Sequence, residues 1–334
     1  MNIGLGVQGI GGMNSFAAGA LYFLRKNKIK VNAISMTSGG IGSVFGFLND
    51  DGDYLKKVSM DENHNYKRSF FSREMQGLNI FLQRMLNGLP KVYRNTNFFE
   101  RMETLKDVDP LDPFGFLNFL MPAKCFESEI PFSAFEGMST AFQKSNIPIM
   151  TNAYNYKTGK TAVIINDASD KYLEGTRFKA GKNKEFEVYK MDANYIKAAL
   201  QLIQFGLHMD MMDGAYQYNP FIAPLKKNTD IVIICVVPLS SPLKKLENTF
   251  DIEDFKLKMM FNNAISSEIS NINLINKLID EKVITDKSFK KINVHIIEPK
   301  IHKGFFDYFV EDVYMFQNGY DEAEKIFSKL SVKK

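Results

Sequence analysis

Apolar and polar positions alternate in two different rhythms along this chain. Short runs rich in β-branched residues predict strands near 2–7, 30–37, 148–153, 161–166, 230–237 and 292–297. Segments near 14–26, 40–48, 70–88, 193–206, 254–280 and 319–330 repeat their apolar positions with helical spacing. Strands and helices that alternate in this way predict an α/β fold with a mainly parallel central sheet and helices on both faces. No proline-rich linker, low-complexity tract or internal repeat divides the pattern, so 1–334 reads as a single domain. The rhythm is weakest over about 49–146, a variable insertion or lid region. It holds the charged stretch NDDGDYLKKVSMDENHNYKR and the aromatic-rich stretch DPFGFLNFLMPAKCFESEIPFSAFEG. The second stretch suits a lid or an apolar wall rich in Phe and Met, or an ordinary core helix with its loops.

The second strand carries the chemistry. Residues 29–37, IKVNAISMT, have the composition of a buried strand, and GGIGSVFGFL follows at once as a turn and helix. Ser38 stands between them. A strand, sharp turn and helix expose a serine hydroxyl at the tip, with the helix N-terminus favouring developing negative charge. The segment Met36-Thr37-Ser38-Gly39-Gly40 meets G-x-S-x-G except at its first position.

Two other segments match the needs of such a serine. GIGGMNSFAAGAL (9–21) is a glycine-rich loop running into a helix, and its unobstructed backbone N–H groups suit a phosphate or an oxyanion. MMDGAYQYNPFIAPL (211–225) places Asp213 before the small-residue turn Gly214-Ala215. Only tertiary folding brings that carboxylate to Ser38.

In this order and spacing, the motifs resemble those of the patatin-like phospholipase family: a glycine-rich loop opening a helix, a G-x-S-x-G elbow, and D-G-G or D-G-A followed by Asn-Pro. Here they stand as Gly9 to Asn14, Met36 to Gly40, and Asp213-Gly214-Ala215 with Asn219-Pro220. IPIMTNAYNYKTGKTAVIIN (147–166) and NGYDEAEKIFSKL (318–330) are similar to the family's strand hairpin and its C-terminal helix. The resemblance implies a patatin-like fold and acyl-ester hydrolysis of a lipid or phospholipid by a Ser38–Asp213 dyad. It implies an oxyanion hole from the amides of Gly9, Gly11 and Gly12, with Gly39, Gly40, Gly214 and Ala215 supporting the motifs. No cofactor and no metal are implied, and no histidine is required, because a partly desolvated carboxylate takes the serine proton.

This chain departs from the family pattern at Met36, Met13 and Asn14. Met36 should point into the packing of the sheet. Met13 replaces an arginine that would anchor the loop, and Asn14 must then hold the turn by its side chain. A catalytically degenerate binding or effector protein is the corresponding alternative. Another is a dinucleotide-binding protein, because Gly4-Leu5-Gly6-Val7-Gln8-Gly9 fits G-x-G-x-x-G. Against it, only three residues precede Gly4, and the strand VNAISM ends in no acidic residue for a ribose.

Of the four histidines, His208 lies near a motif and reads as a bystander, while His64, His295 and His302 lack ligand-like spacing. Cys235 belongs to an apolar strand, and Cys125 stands too far from it in sequence for a disulfide framework. A net charge of +4, from 42 basic and 38 acidic residues, is spread along the chain without aromatic interleaving and does not indicate nucleic acid. It suits anionic headgroups instead. With no apolar run of transmembrane length and no basic leader, the expectation is a cytoplasmic protein that meets membranes peripherally.

Overall fold

The computed structural model of the chain describes residues 2–9, 15–49, 55–56, 93–95, 126–128, 130–176, 178, 185–202, 206–227, 231–236, 246, 249–286, 289–300 and 313–330. In chain order these form β1 (Asn2–Val7), α1 (Ser15–Lys26), β2 (Ala33–Met36), α2 (Gly40–Leu48), β3 (Tyr93–Asn95) and β4 (Phe126–Ser128). Next come α3 (Phe132–Lys144), β5 (Ile149–Asn155), β6 (Lys160–Ile165), α4 (Asp167–Tyr172), β7 (Phe186–Lys190) and α5 (Ala193–Ala199). The rest comprises β8 (Met211–Asp213), two 3-10 turns (Gly214–Tyr216 and Ala223–Lys227), β9 (Ile231–Val236), α6 (Thr249–Asp280), β10 (Val294–Ile297) and α7 (Val313–Lys329).

Eight strands make one sheet in the order β10-β9-β1-β2-β5-β6-β7, with β8 also paired to β5. Every neighbouring pair is parallel except β5 with β6 and β5 with β8. The fold is therefore α/β with a mostly parallel sheet. β3 and β4 form a separate antiparallel pair.

Strand alternation divides the core into two layers. Leu5, Ile34, Ile149, Ile164 and Ile234 face one layer with Phe16, Leu24, Phe142 and Phe316 from the helices. Their neighbours Ala33, Met150, Val163, Ile165 and Ile233 face the other, with Phe221, Leu225 and Ile265. Side chains alternate by two along a strand, so apolar residues at consecutive positions require helices or turns over both faces. In β1, Gly4 and Gly6 alternate with Ile3, Leu5 and Val7 and are register partners of Ala33 and Ser35. The G-x-G-x-x-G spacing thus lies inside a strand and supplies no phosphate-binding turn at Gly4 or Gly6.

Helices α1 and α7 pack with their backbones in near contact. A Cβ on Gly19 would lie 1.9 Å from the Phe316 carbonyl oxygen, and one on Gly319 would lie 2.0 Å from that of Phe16. Only a hydrogen fits at either place. Tyr22, Phe23, Phe316, Tyr320 and Phe327 flank this contact with tilted and edge-on rings.

Several boundaries differ from the expectations. The predicted helix over 193–206 stops at Ala199, and the Gln201 carbonyl then accepts from the Asp213 N–H at 2.7 Å. Strands β3, β4, β7 and β8 and helices α3 and α4 have no counterpart among the predicted elements. The end of the segment read as variable is α3, whose Phe135 and Phe142 are buried and which packs on α2 and α5. The predicted helix over 70–88 lies outside the described residues.

Candidate active site

Two strands meet end to end at the middle of β5. Strand β2 runs parallel to β5 and its pairing stops at Met36 opposite Thr151. Strand β8 arrives from the other direction, antiparallel, and its pairing stops at Asp213 opposite Ala153. Because β6 occupies the other edge of β5 over Met150–Asn155, β2 and β8 share one edge, and Asn152 is the residue between their ends. This register brings Ser38 and Asp213 together across 175 positions of chain.

Immediately beyond β2 the backbone turns sharply. Ser38 adopts φ 51°, the left-handed region that non-glycine residues avoid at a cost of about 1–2 kcal/mol. Such strain persists where surrounding structure enforces it, and here the Gly40 N–H bonds the Thr37 carbonyl at 3.0 Å and the Ile41 N–H bonds the Ser38 carbonyl at 2.9 Å. Helix α2 starts at Gly40, so the positive end of its backbone dipoles lies beside the serine. A Cβ at Gly40 would come within 2.9 Å of the Val7 carbonyl oxygen, which explains glycine there. No described residue accepts a hydrogen bond from the Gly39 N–H. Met36 is fully buried in the sheet, as expected, so the first position of the motif has no call for glycine.

The Ser38 hydroxyl donates a short hydrogen bond to Asp213 Oδ2. Asp213 Oδ1 accepts from the Ala215 N–H at 2.8 Å, which caps the 3-10 turn Gly214–Tyr216. Asp213 is wholly buried and Ser38 is 3% exposed. Burial pushes the Asp213 carboxyl up to about 7, against which its hydrogen bonds from Ser38 and Ala215 act. A carboxylate near neutrality that already holds a serine hydroxyl is equipped to remove its proton.

Around this pair stands a buried amide framework. Asn152 Oδ1 accepts from the Thr37 hydroxyl at 2.8 Å, and its Nδ2 donates to the Gly214 carbonyl at 3.0 Å. Asn219 Oδ1 accepts from the Gly9 N–H at 3.1 Å, and its Nδ2 donates to the Gly9 carbonyl at 2.9 Å. Gln8 reaches the Asn219 carbonyl at 3.1 Å and Asn262 of α6 at 2.9 Å. A Cβ on Gly9 would strike the Thr37 carbonyl oxygen at 2.1 Å and the Gly39 and Gly40 nitrogens at 2.4 and 2.5 Å. The start of the glycine loop is thus pressed against the elbow.

Gly9 corrects one expectation: its N–H is occupied by Asn219, so it anchors the loop and is not a free oxyanion donor. Gly11, Gly12, Met13 and Asn14 lie outside the described residues, as do His64, His302 and Cys125. His208 hydrogen-bonds Asn194 at 3.3 Å and makes no hydrogen bond to Ser38 or Asp213. Asn152 escaped the sequence reading because IMTNAYN looks like a strand with a routine polar position. Its significance appears only with the register. Among the described residues no group of His, Cys, Asp and Glu side chains is placed to hold a metal ion, and no helix is long and apolar enough to cross a membrane.

No protein-family model matches this chain. No curated protein matches it either. Solved structures do match, among them the crystal structure of VipD from Legionella pneumophila, at 11% identity and a TM-score of 0.38, covering 98% of this chain and 67% of that one.

Proposed function

We propose that this chain is a lipid acyl hydrolase of the patatin type, cleaving acyl esters through Ser38 and Asp213. The observation that carries the reading is Ser38 held at φ 51° with its hydroxyl donated to a wholly buried carboxylate. A serine is a weak nucleophile until a positioned base takes its proton, and Asp213 is the base in reach.

In the first step Ser38 Oγ attacks the ester carbonyl carbon while its proton passes to Asp213 Oδ2. The tetrahedral oxyanion is received by N–H groups, for which Gly39 and the loop amides of Gly11 and Gly12 are the proposed donors. Collapse breaks the bond to the leaving alcohol, which takes the proton from Asp213 and departs. Water then attacks the acyl-serine with Asp213 again as base, releasing the fatty acid and restoring Ser38. The substrate is an acyl lipid or phospholipid met at a membrane surface by peripheral contact.

The test is incubation of the protein and of Ser38→Ala with mixed lipid extracts and with a p-nitrophenyl acyl ester. Free fatty acid and lysolipid released by the first and absent with the second support the reading. Equal release by both overturns it.

A further inference from the structure

We propose that Asn152 is a positioning residue for the Ser38–Asp213 pair, its carboxamide joining the residue before the nucleophile to the residue after the base. The proposal rests on the reading of those two residues as a catalytic pair. Asn152 is wholly buried and stands where the ends of β2 and β8 face one another. Neither strand is hydrogen-bonded to the other through its backbone across this junction, because each pairs with β5. Beside the Ser38–Asp213 hydrogen bond and the Thr37–Tyr218 contact, the Asn152 side chain ties them. Its Oδ1 takes the Thr37 hydroxyl at 2.8 Å, and its Nδ2 gives hydrogen bonds to the Gly214 carbonyl at 3.0 Å and the Tyr218 carbonyl at 3.3 Å.

The chemistry calls for an amide in particular. A carboxylate would still accept from Thr37, but its second oxygen would face two carbonyl oxygens and repel both. An aliphatic side chain would make neither link. Asn152 is also fitted to Gly214, since a Cβ there would come within 2.2 Å of Nδ2 and 2.6 Å of the Asn152 carbonyl oxygen.

The bonds it makes are not what satisfies its partners. The Gly214 carbonyl already accepts from the Gln217 and Tyr218 N–H groups at 3.0 Å each. Thr37 Oγ1 has the Tyr218 carbonyl at 3.2 Å as another acceptor and receives the Phe221 N–H at 3.1 Å. Removing the Asn152 carboxamide leaves no orphaned buried group on either side, so its effect falls on the spacing of the pair more than on folding. A misplacement near 1 Å in a catalytic pair costs about 10²-fold.

The experiment compares Asn152→Ala, Asn152→Asp, Thr37→Val and Thr37→Ser in turnover of a p-nitrophenyl acyl ester, in thermal unfolding and in the Asp213 carboxyl titration followed by 13C NMR. Asn152→Ala and Thr37→Val should each lower kcat about 10–100-fold with KM within about twofold. Combined, they should lower kcat by less than the product of the two single effects, because both cut the Thr37–Asn152 link while Thr37→Val also takes the acceptor of the Phe221 N–H. Thr37→Ser keeps the hydroxyl and should match the wild type, while Asn152→Asp should be as poor as Asn152→Ala. The Asp213 titration should move upward in Asn152→Ala, toward its position in Ser38→Ala, as the serine hydrogen bond lengthens.

Folded Asn152→Ala with kcat within about threefold of wild type and an unmoved Asp213 titration overturns the proposal. So does a loss of unfolding temperature with unchanged kcat per folded molecule. Should Asn152→Ala not fold, Thr37→Val carries the same comparison. If the wild type hydrolyses no ester while the Asp213 titration still follows Asn152, the positioning role stands and the hydrolase reading falls.

Discussion

Asn219 and Gly9 hold one another by hydrogen bonds in both directions, the side-chain amide of one reading the N–H and the carbonyl of the other at 3.1 and 2.9 Å. The same contact fastens the turn behind Asp213 to the loop in front of α1. Asn219→Asp would set a carboxylate oxygen against the Gly9 carbonyl and lose one of the two bonds. We expect it to cost about 2–4 kcal/mol in unfolding free energy and to lower kcat. Chemical denaturation beside ester turnover measures both, and a variant with wild-type values in each contradicts the fastening.

Ser38→Ala and Ser38→Gly should both lose turnover of an activated ester, because either removes the attacking oxygen. They should differ in stability. The backbone at 38 lies in the left-handed region, where glycine carries no Cβ penalty, so the glycine variant should be the more stable by about 1 kcal/mol. Denaturant titration of the two inactive variants reads the difference, and alanine equal to or above glycine would argue against strain at the elbow.

Asp213 gives a pH dependence of known sign. Its carboxyl is pushed up to about 7 in the folded protein, so kcat/KM should rise about tenfold per pH unit below that value and level off above it. Asp213→Asn should cost several orders of magnitude in kcat, and His208→Ala little. A large loss from His208→Ala with a mild one from Asp213→Asn points to a histidine base.

The same carboxyl makes stability depend on pH. Its folded value lies above the ordinary carboxylate value near 4, so between about 4 and about 7 the folded state holds a proton that the unfolded state has lost. Stability therefore falls as pH rises through that window, by up to about 4 kcal/mol if the two values differ by about 3 units. Asp213→Asn should gain stability over wild type at pH 8 and little at pH 4. Unfolding temperatures at the two pH values decide it, and equal differences would mean that the carboxyl is not raised.

Gly9→Ala should be far more damaging than its size suggests. Its Cβ meets backbone atoms of Thr37, Gly39 and Gly40 within 2.5 Å, none of which has a rotamer to escape into. Loss of more than about 2 kcal/mol of stability together with turnover is expected. Gly11→Ala should instead lower kcat by about 10²–10³ with the fold kept, if Gly11 supplies an oxyanion donor. Paired circular dichroism and kinetics separate the two, and a fully active Gly11→Ala moves the donors elsewhere.

What was legible in the sequence was what local rules write down. Strand β2 and helix α2 show themselves by an apolar run ended by Ser38 and three nearby glycines, and α2 was placed at its observed bounds. Strand β7, Phe186–Lys190, hid because FEVYK mixes charges into its pattern, as an edge strand does. Strand β8 has three residues and no periodicity to detect. It exists because β2 leaves one edge of β5 unpaired beyond Thr151. Helix α3 was buried in an aromatic-rich stretch that composition alone could not distinguish from a lid. Ser38, Asp213 and Asn219 were found through motif order, whereas Asn152 and Gln8 are non-local partners with no signature of their own.

The glycine contact between α1 and α7 also sets the order in which the molecule is finished. Residues 15–26 and 313–329 must meet with backbones touching, yet α1 leaves a ribosome long before α7 is made. A nascent chain has made its serine, its loop and its aspartate before α1 has the surface it closes on. A chain halted short of α7 leaves the Gly19 face of α1, the helix that follows the glycine-rich segment, without the backbone it is shaped to meet.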